Sequence, residues 1–281
     1  MVTRYSFEFF PPKSSASSLA LDTCLNALQN WQPEFCSMTY GAGGSSQAES
    51  FNAIARLQRR ELVAAAHITA VAASKAEVGQ AARAFVAAGV DHLVALRGDS
   101  LAGDFCPHPQ GYSYGADLVA GLRQWFDGTI SVAAYPETHP QASSHAADLR
   151  HLASKVNAGA SQIMTQYCYD TDALLRYADL MHGQGISVPI IAGVMPIHDI
   201  FAIQRFSARC GASVPAKIIA RFERLTDADD QQHLAQDIAV EQIQRLAEHG
   251  LNRVHLYTLN RPQWVLDILR ALHQPALAAS A

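Results

Sequence analysis

Long uninterrupted apolar runs are absent from this chain of 281 residues: its alanine-rich segments are broken by charges, and none approaches the about 20 residues that a helical membrane span requires. The chain opens directly on strand-forming residues, with no charged region followed by an apolar one, so no secretory signal is expected. Cysteine is sparse. Cys24, Cys36, Cys106, Cys168 and Cys210 are odd in number and never fall in a C-x-x-C spacing, which points to reduced thiols and a cytoplasmic location. A basic excess is also missing. The net charge is −4 and the Lys and Arg residues are scattered, so a nucleic-acid partner is not expected. No H-E-x-x-H or H-x-H spacing occurs, and His108, His139, His145 and His151 have no evident partners, so no metal site is expected. There is no G-x-S-x-G elbow, which disfavours a serine hydrolase, and no short-period repeat or low-complexity linker.

What is present is alternation. Short β-branched or aromatic runs at 5–9, 34–39, 62–69, 92–96, 130–134, 162–166, 188–194 and 253–257 alternate with longer amphipathic runs. Helical stretches are expected at 19–31, 47–60, 75–88, 117–126, 142–157 and 172–184, with Gly89, Gly128, Gly159 and Gly185 placed to act as C-caps. About eight βα units without a composition break argue for a single α/β (β/α)₈ TIM barrel over residues 1–274, with 275–281 as a disordered tail. An open doubly wound sheet is the alternative. The stretch between strands seven and eight has room for two helices, one of them extra, broken at Val214-Pro215 and restarted by the acidic signal at 226–230.

In a parallel barrel the chemistry gathers at the C-terminal ends of the strands. Ser6-Phe7-Glu8-Phe9-Phe10-Pro11-Pro12 places a carboxylate inside an aromatic strand. A carboxyl group walled by phenyl rings suits general-acid chemistry; pairing with a buried Lys or Arg is the other reading. Thr39-Tyr40-Gly41-Ala42-Gly43-Gly44-Ser45-Ser46 follows the second strand as a glycine-rich loop able to cradle a phosphate or approach a flat ring, but Ser46 stands where a dinucleotide fingerprint has its third glycine. Leu96-Arg97-Gly98-Asp99 ends the fourth strand and leads into a long loop reaching Tyr114-Gly115. Such loops usually serve a ligand, and Arg97 offers a fork for phosphate. Tyr135-Pro136-Glu137-Thr138-His139-Pro140 is a stiff polar loop after the fifth strand, and Asp148 and Lys155 lie on one face of the next helix, which by spacing alone reads as a solvated face.

With these motifs in order, FEFFPP, TYGA, LRGD, AAYPETHP, TQYCYD and HLYTLNR, the chain resembles the bacterial single-domain methylenetetrahydrofolate reductases from Ser6 to about Leu272. The resemblance implies an FAD-dependent oxidoreductase. It would take a hydride from NADH or NADPH and pass it to 5,10-methylenetetrahydrofolate in ping-pong order, giving 5-methyltetrahydrofolate for methionine synthesis. By the same resemblance, Glu8 is the acid that opens the folate ring and Asp99 stabilises the cation formed. The cofactor contacts it implies are Thr39, Tyr40, Ala42, His67, Arg97, Gly98, Asp99, Tyr114, Gly115, Tyr135, His139, Ala142, Asp148 and Lys155. Folate or nicotinamide would meet Glu8, Asp99, Gln166, Phe206 and Arg261. A homo-oligomer is implied, and the regulatory domain of the eukaryotic members is not expected. Ala202 stands where some relatives have a glutamine, leaving Gln204 as a substitute, and His151 and Ser154 are left outside the expected site.

Two readings compete. A barrel lyase would need a Schiff-base lysine or a metal at a strand end, and Lys13, Lys75, Lys155 and Lys217 are not there. A non-catalytic folate or flavin binder would not require an acid in an apolar site.

Overall fold

The computed structural model describes residues 2–40, 47–98 and 106–273. Eight parallel strands close into a barrel in sequence order: β1 (Arg4–Phe9), β2 (Cys36–Met38), β3 (Ala64–Thr69), β4 (His92–Leu96), β5 (Thr129–Ala134), β6 (Gln162–Thr165), β7 (Ile190–Val194) and β8 (Arg253–Tyr257). Helices α1 (Ser15–Leu28), α2 (Gln47–Gln58), α3 (Lys75–Ala87), α4 (Gly115–Arg123), α5 (His145–Asn157) and α6 (Thr171–Gly183) follow the first six strands, and α10 (Pro262–His273) follows the last.

Strand alternation sorts the side chains into two environments. Outward-facing Phe7, Phe9, Met38, Ile68, Leu93, Ile130, Val132, Ile163, Val254 and Leu256 pack with the helices in one continuous core. The interior is mixed. Phe35, Ala65, Val94, Met164 and Ile191 form a small apolar cluster, surrounded by buried Ser6, Ser37, His67, His92, Ser131, Gln162 and His255. Apart from His67, these polar groups bond one another across strands: His92 Nε2 lies 2.7 Å from Ser131 Oγ, and Gln162 Nε2 donates to the same oxygen at 2.9 Å.

The seam between β1 and β8 is heavily bonded. Glu34 receives Arg4 Nη1 and Arg253 Nε, each at 2.8 Å. Thr258 Oγ1 donates to Glu8 O at 2.6 Å, and the Asn260 amide bonds both the N–H and the C=O of Phe10, at 3.0 and 2.9 Å.

Several expected boundaries move, among them α1, which begins at Ser15 behind the N-cap Ser14 instead of at 19. Between β7 and β8 there are three helices instead of two, α7 (Ile200–Cys210), α8 (Ala216–Phe222) and α9 (Ala228–Glu248), because Pro215 opens a short helix at its N-cap as well as separating it from α7. Helix α4 begins at Gly115, where Asp117 Oδ2 accepts from Tyr114 N at 3.0 Å, and it ends at Arg123, so Gly128 is not its cap. Helix α5 starts at His145 behind the N-cap Ser144, which leaves Ala142 in the preceding turn. No helix among the described residues is long and apolar enough to cross a membrane. The tail expected at 275–281 lies outside the described residues.

Candidate active site

A cavity of about 460 Å³ opens at the C-terminal ends of β4 and β5, between α4 and α5. Arg97, Gly98, Tyr114, Gly115, Tyr135, His139, Ala142, Asp148 and Lys155 all line it. Local structure explains why they meet. Gly98 is left-handed at φ 84°, and a Cβ there would stand 2.5 Å from Val71 Cγ1, so only glycine turns the chain this closely behind Arg97. Helix α4 directs its first turn, Gly115 and Ala116, into the cavity. Asp148 is buried and accepts from His139 N at 2.9 Å, fixing the loop after β5. In that loop the Tyr135 and His139 rings meet edge-on at 4.6 Å, while Glu137 is engaged elsewhere, accepting from Ser213 N at 3.0 Å.

Lys155 supplies the cavity's strongest electrostatic feature. Its Nζ donates to Ala133 O at 2.8 Å, and burial pushes its ammonium down to about 8, with Asp148 opposing the fall and Arg97 adding to it. Arg97 reaches Gln141 Oε1. Two buried or half-buried cations beside exposed helix-terminal amides favour an anionic ligand. Gln141, His151 and Ser154 also line the cavity, and the Tyr114 ring stacks on His151 at 5.9 Å. His151 could be found from spacing alone: Asp148, His151 and Lys155 fall on one helical face.

Glu8 occupies a separate position, inside the barrel. It is 9% exposed, and its neighbours are imidazoles instead of the expected phenyl rings: His67 Nε2 lies 3.6 Å and His255 Nε2 3.9 Å from Glu8 Oε2. Alternation sends Phe7 and Phe9 outward into the helical layer, which is why they do not wall it. Burial pushes His67 down to about 4, partly countered by Glu8 and reinforced by His255, so His67 is neutral at physiological pH. Among the described residues its Nε2 has no hydrogen-bond partner, nor does the buried Thr39 Oγ1. Tyr40 does not line the cavity; its ring packs at the edge of the core against Phe85, at 6.4 Å.

The far side of the mouth is aromatic. Phe206, on α7, is 42% exposed and stacks on Tyr167 at 6.2 Å, and Tyr167 OH donates to Ser207 Oγ at 3.1 Å. Tyr257 OH donates to Thr165 O at 3.1 Å, and burial, with Glu8 nearby, holds that phenol well above its usual range. Gln166 Oε1 accepts from Tyr167 N at 3.1 Å. Arg261 is exposed just after β8, and its charge, after burial, helps push the neighbouring His198 down. Asp99 and Ala42 lie outside the described residues. No group of three His, Cys, Asp or Glu side chains among the described residues could hold a metal ion.

A family model described as methylenetetrahydrofolate reductase matches residues 2–273. The chain belongs to the methylenetetrahydrofolate reductase family. The 5,10-methylenetetrahydrofolate reductases of Salmonella typhimurium and Escherichia coli are each 36% identical to it over 269 residues, covering 95% of this chain and 90% of theirs. A plant relative, methylenetetrahydrofolate reductase (NADH) 1 of Arabidopsis thaliana, is 33% identical over 96% of this chain and 48% of its own length. Among solved structures, an uncharacterised Clostridium thermocellum protein that binds two copies of 5-methyl-5,6,7,8-tetrahydrofolic acid superposes with a TM-score of 0.67. At 14% identity over 96% of this chain and 94% of that one, it shows that the two share the barrel fold.

Proposed function

We propose that the chain reduces 5,10-methylenetetrahydrofolate to 5-methyltetrahydrofolate with NADH or NADPH as hydride donor, both substrates using one bound FAD in turn. The observation that carries this reading is the convergence of Arg97, Gly98, Tyr114, Tyr135, His139, Asp148 and Lys155 on a single cavity from four separate stretches of sequence. Those residues suit a dinucleotide cofactor. Lys155, Arg97 and the amides opening α4 complement a diphosphate, and Asp148 suits hydroxyl groups. Thr39 Oγ1 and His67 Nε2, buried and without a hydrogen-bond partner among the described residues, are further polar atoms suited to a ligand. When bound, FAD supplies a two-electron carrier that accepts a hydride from the nicotinamide and returns it to the folate.

The protein's own groups supply the rest. Glu8 delivers a proton to the folate nitrogen that leaves as the five-membered ring opens to an iminium cation. Asp99 provides a negative charge against that cation. Gln166, Phe206 and Arg261 hold whichever substrate is present, Phe206 by offering an exposed ring already stacked on Tyr167. Tyr257 stays a neutral phenol committed to Thr165 O, so it shapes the site without competing for the proton.

The test is the visible spectrum of the purified protein, then anaerobic addition of NADH followed by methylenetetrahydrofolate. A flavin band that bleaches with the first and returns with the second is expected. A colourless protein that cannot be reconstituted with FAD overturns the reading. Glu8→Gln is expected to accept electrons from NADH and fail in the folate half-reaction.

A further inference from the structure

The two oxygens of Glu8 are not equivalent. Both imidazoles address Oε2, His67 Nε2 from 3.6 Å and His255 Nε2 from 3.9 Å, whereas Oε1 makes no hydrogen bond or ion pair with the described residues. The two rings are also held differently. His67 Nε2 is without a hydrogen-bond partner among the described residues. His255 is fully buried and fixed at both nitrogens, with Nδ1 2.7 Å from Ser6 Oγ and Nε2 3.3 Å from Ser37 Oγ. Its face lies on Phe35 at 5.6 Å and 20°, and its edge meets Tyr257 at 5.5 Å and 81°.

Strand register builds this arrangement. Ser6 pairs with His255 and Glu8 with Tyr257 across β1 and β8, while Glu8 pairs with Ser37 across β1 and β2. Three neighbouring strands therefore contribute to one rigid cluster whose only soft member is the Glu8 side chain itself. A carboxyl group on a flexible stem loses effectiveness as an acid unless the oxygen bearing the proton is aimed at its target.

We propose that His255 is a positioning residue for Glu8: locked by Ser6 and Ser37, it retains Oε2 on the imidazole side and leaves Oε1 to carry the proton delivered to the folate. The inference rests on the reading of Glu8 as the acid. In the step concerned, the Oε1–H bond breaks and the proton goes to the departing ring nitrogen. The nitrogen–methylene bond opens, its electron pair accepts that proton, and the methylene carbon is left as an iminium. Glu8 becomes a carboxylate and no electrons are exchanged with the protein.

Two amides separate this role from packing. Asparagine can replace the Nδ1 contact with Ser6 but cannot reach Glu8; glutamine can place its amide where Nε2 stands. His255→Asn is expected to slow the folate half-reaction by about 10- to 100-fold, leaving flavin reduction by NADH and the equilibrium affinity of the FAD-free protein for 5-methyltetrahydrofolate unchanged. His255→Gln should recover most of the lost rate. A ring that serves only to pack and to bond Ser6 would give the opposite order. Ser6→Ala, which removes the 2.7 Å anchor while keeping the imidazole, should show the same folate-specific loss in milder form and decides the matter if His255→Asn does not fold. Normal folate turnover in the folded variants, or His255→Asn outperforming His255→Gln, overturns the inference. Glu8→Gln, run in parallel, identifies the level of failure. If it turns over folate normally, the acid assignment falls and this inference with it; if it is inactive while the His255 and Ser6 variants are normal, the positioning role alone is wrong.

Discussion

Removing the ammonium of Lys155 should stabilise the cofactor-free protein, and by an amount that depends on pH. Burial holds this group at about 8 against an ordinary 10.5, with Asp148 opposing and Arg97 reinforcing the fall. Between those two values the unfolded chain binds more protons than the folded one, so stability rises with pH through that window, and below it the full penalty applies. A shift of this size corresponds to about 3 kcal/mol, and water reaching the cavity should trim it to about 1–3 kcal/mol. Lys155→Met keeps the stem and loses the charge together with the bond to Ala133 O, a bond worth about 1 kcal/mol. The expected net gain at pH 7 is about 0–2 kcal/mol, or a Tm up to about 6 °C higher in a chain of this size. Paired thermal unfolding of FAD-free wild type and Lys155→Met from pH 7 to 10.5 measures the difference, in which the other lysines cancel. The gap should close towards pH 10.5, and the variant should bind FAD more weakly. A pH-independent gap, or a variant less stable at pH 7, would refute the reasoning that burial of this cation is costly.

Other perturbations test other parts of the molecule. Gly98→Ala forces a left-handed alanine into contact with Val71 and should cost about 2–4 kcal/mol; chemical denaturation should show it, with partial recovery in a Val71→Ala background. His67 and His92 are pushed by burial down to about 4 and about 3, so the unfolded chain takes up protons first as pH falls below about 6.5. Stability, full above that pH, should decline on acidification by on the order of 3 kcal/mol per histidine by pH 4; a urea midpoint that is flat between pH 7 and 4.5 would contradict this. Ser74→Ala removes the capping box that Ser74 and Glu77 form at the start of α3 and should lower stability by about 1 kcal/mol, measured by urea unfolding.

Alternation of strand and helix was strong enough to read the barrel from residues alone, since His92–Leu96 and Arg253–Tyr257 appear as expected and the other strands differ by one or two residues at their ends. Proline was less informative. Pro215 could end one helix or begin another, and it does the latter, which turned two expected helices into three. The cavity was legible in part: Arg97 and Tyr135 sit on recognisable strand-end loops, whereas spacing alone read Asp148 and Lys155 as a solvated helix face and only the family resemblance placed them in the site. His255 was not. It lies inside an ordinary strand, and its link to Ser6 exists only through the closure of the barrel, which no local pattern encodes. The same holds for Glu8: pattern placed it in an aromatic strand among phenyl rings, and the closed barrel instead sets it against imidazoles.

The bonded seam between the first and last strands carries a consequence for synthesis. Among the described residues, the polar ties there join the opening of the chain to residues between 252 and 260, apart from the contacts made by Glu34 and Ser37. As the polypeptide leaves the ribosome, β1 meets β2 early but waits for nearly the whole remaining length before its second edge is covered. Through that interval an unpaired edge rich in phenylalanine is open to wrong partners. Translation speed and chaperone access over those intervening residues should therefore govern yield more than the stability of the finished barrel.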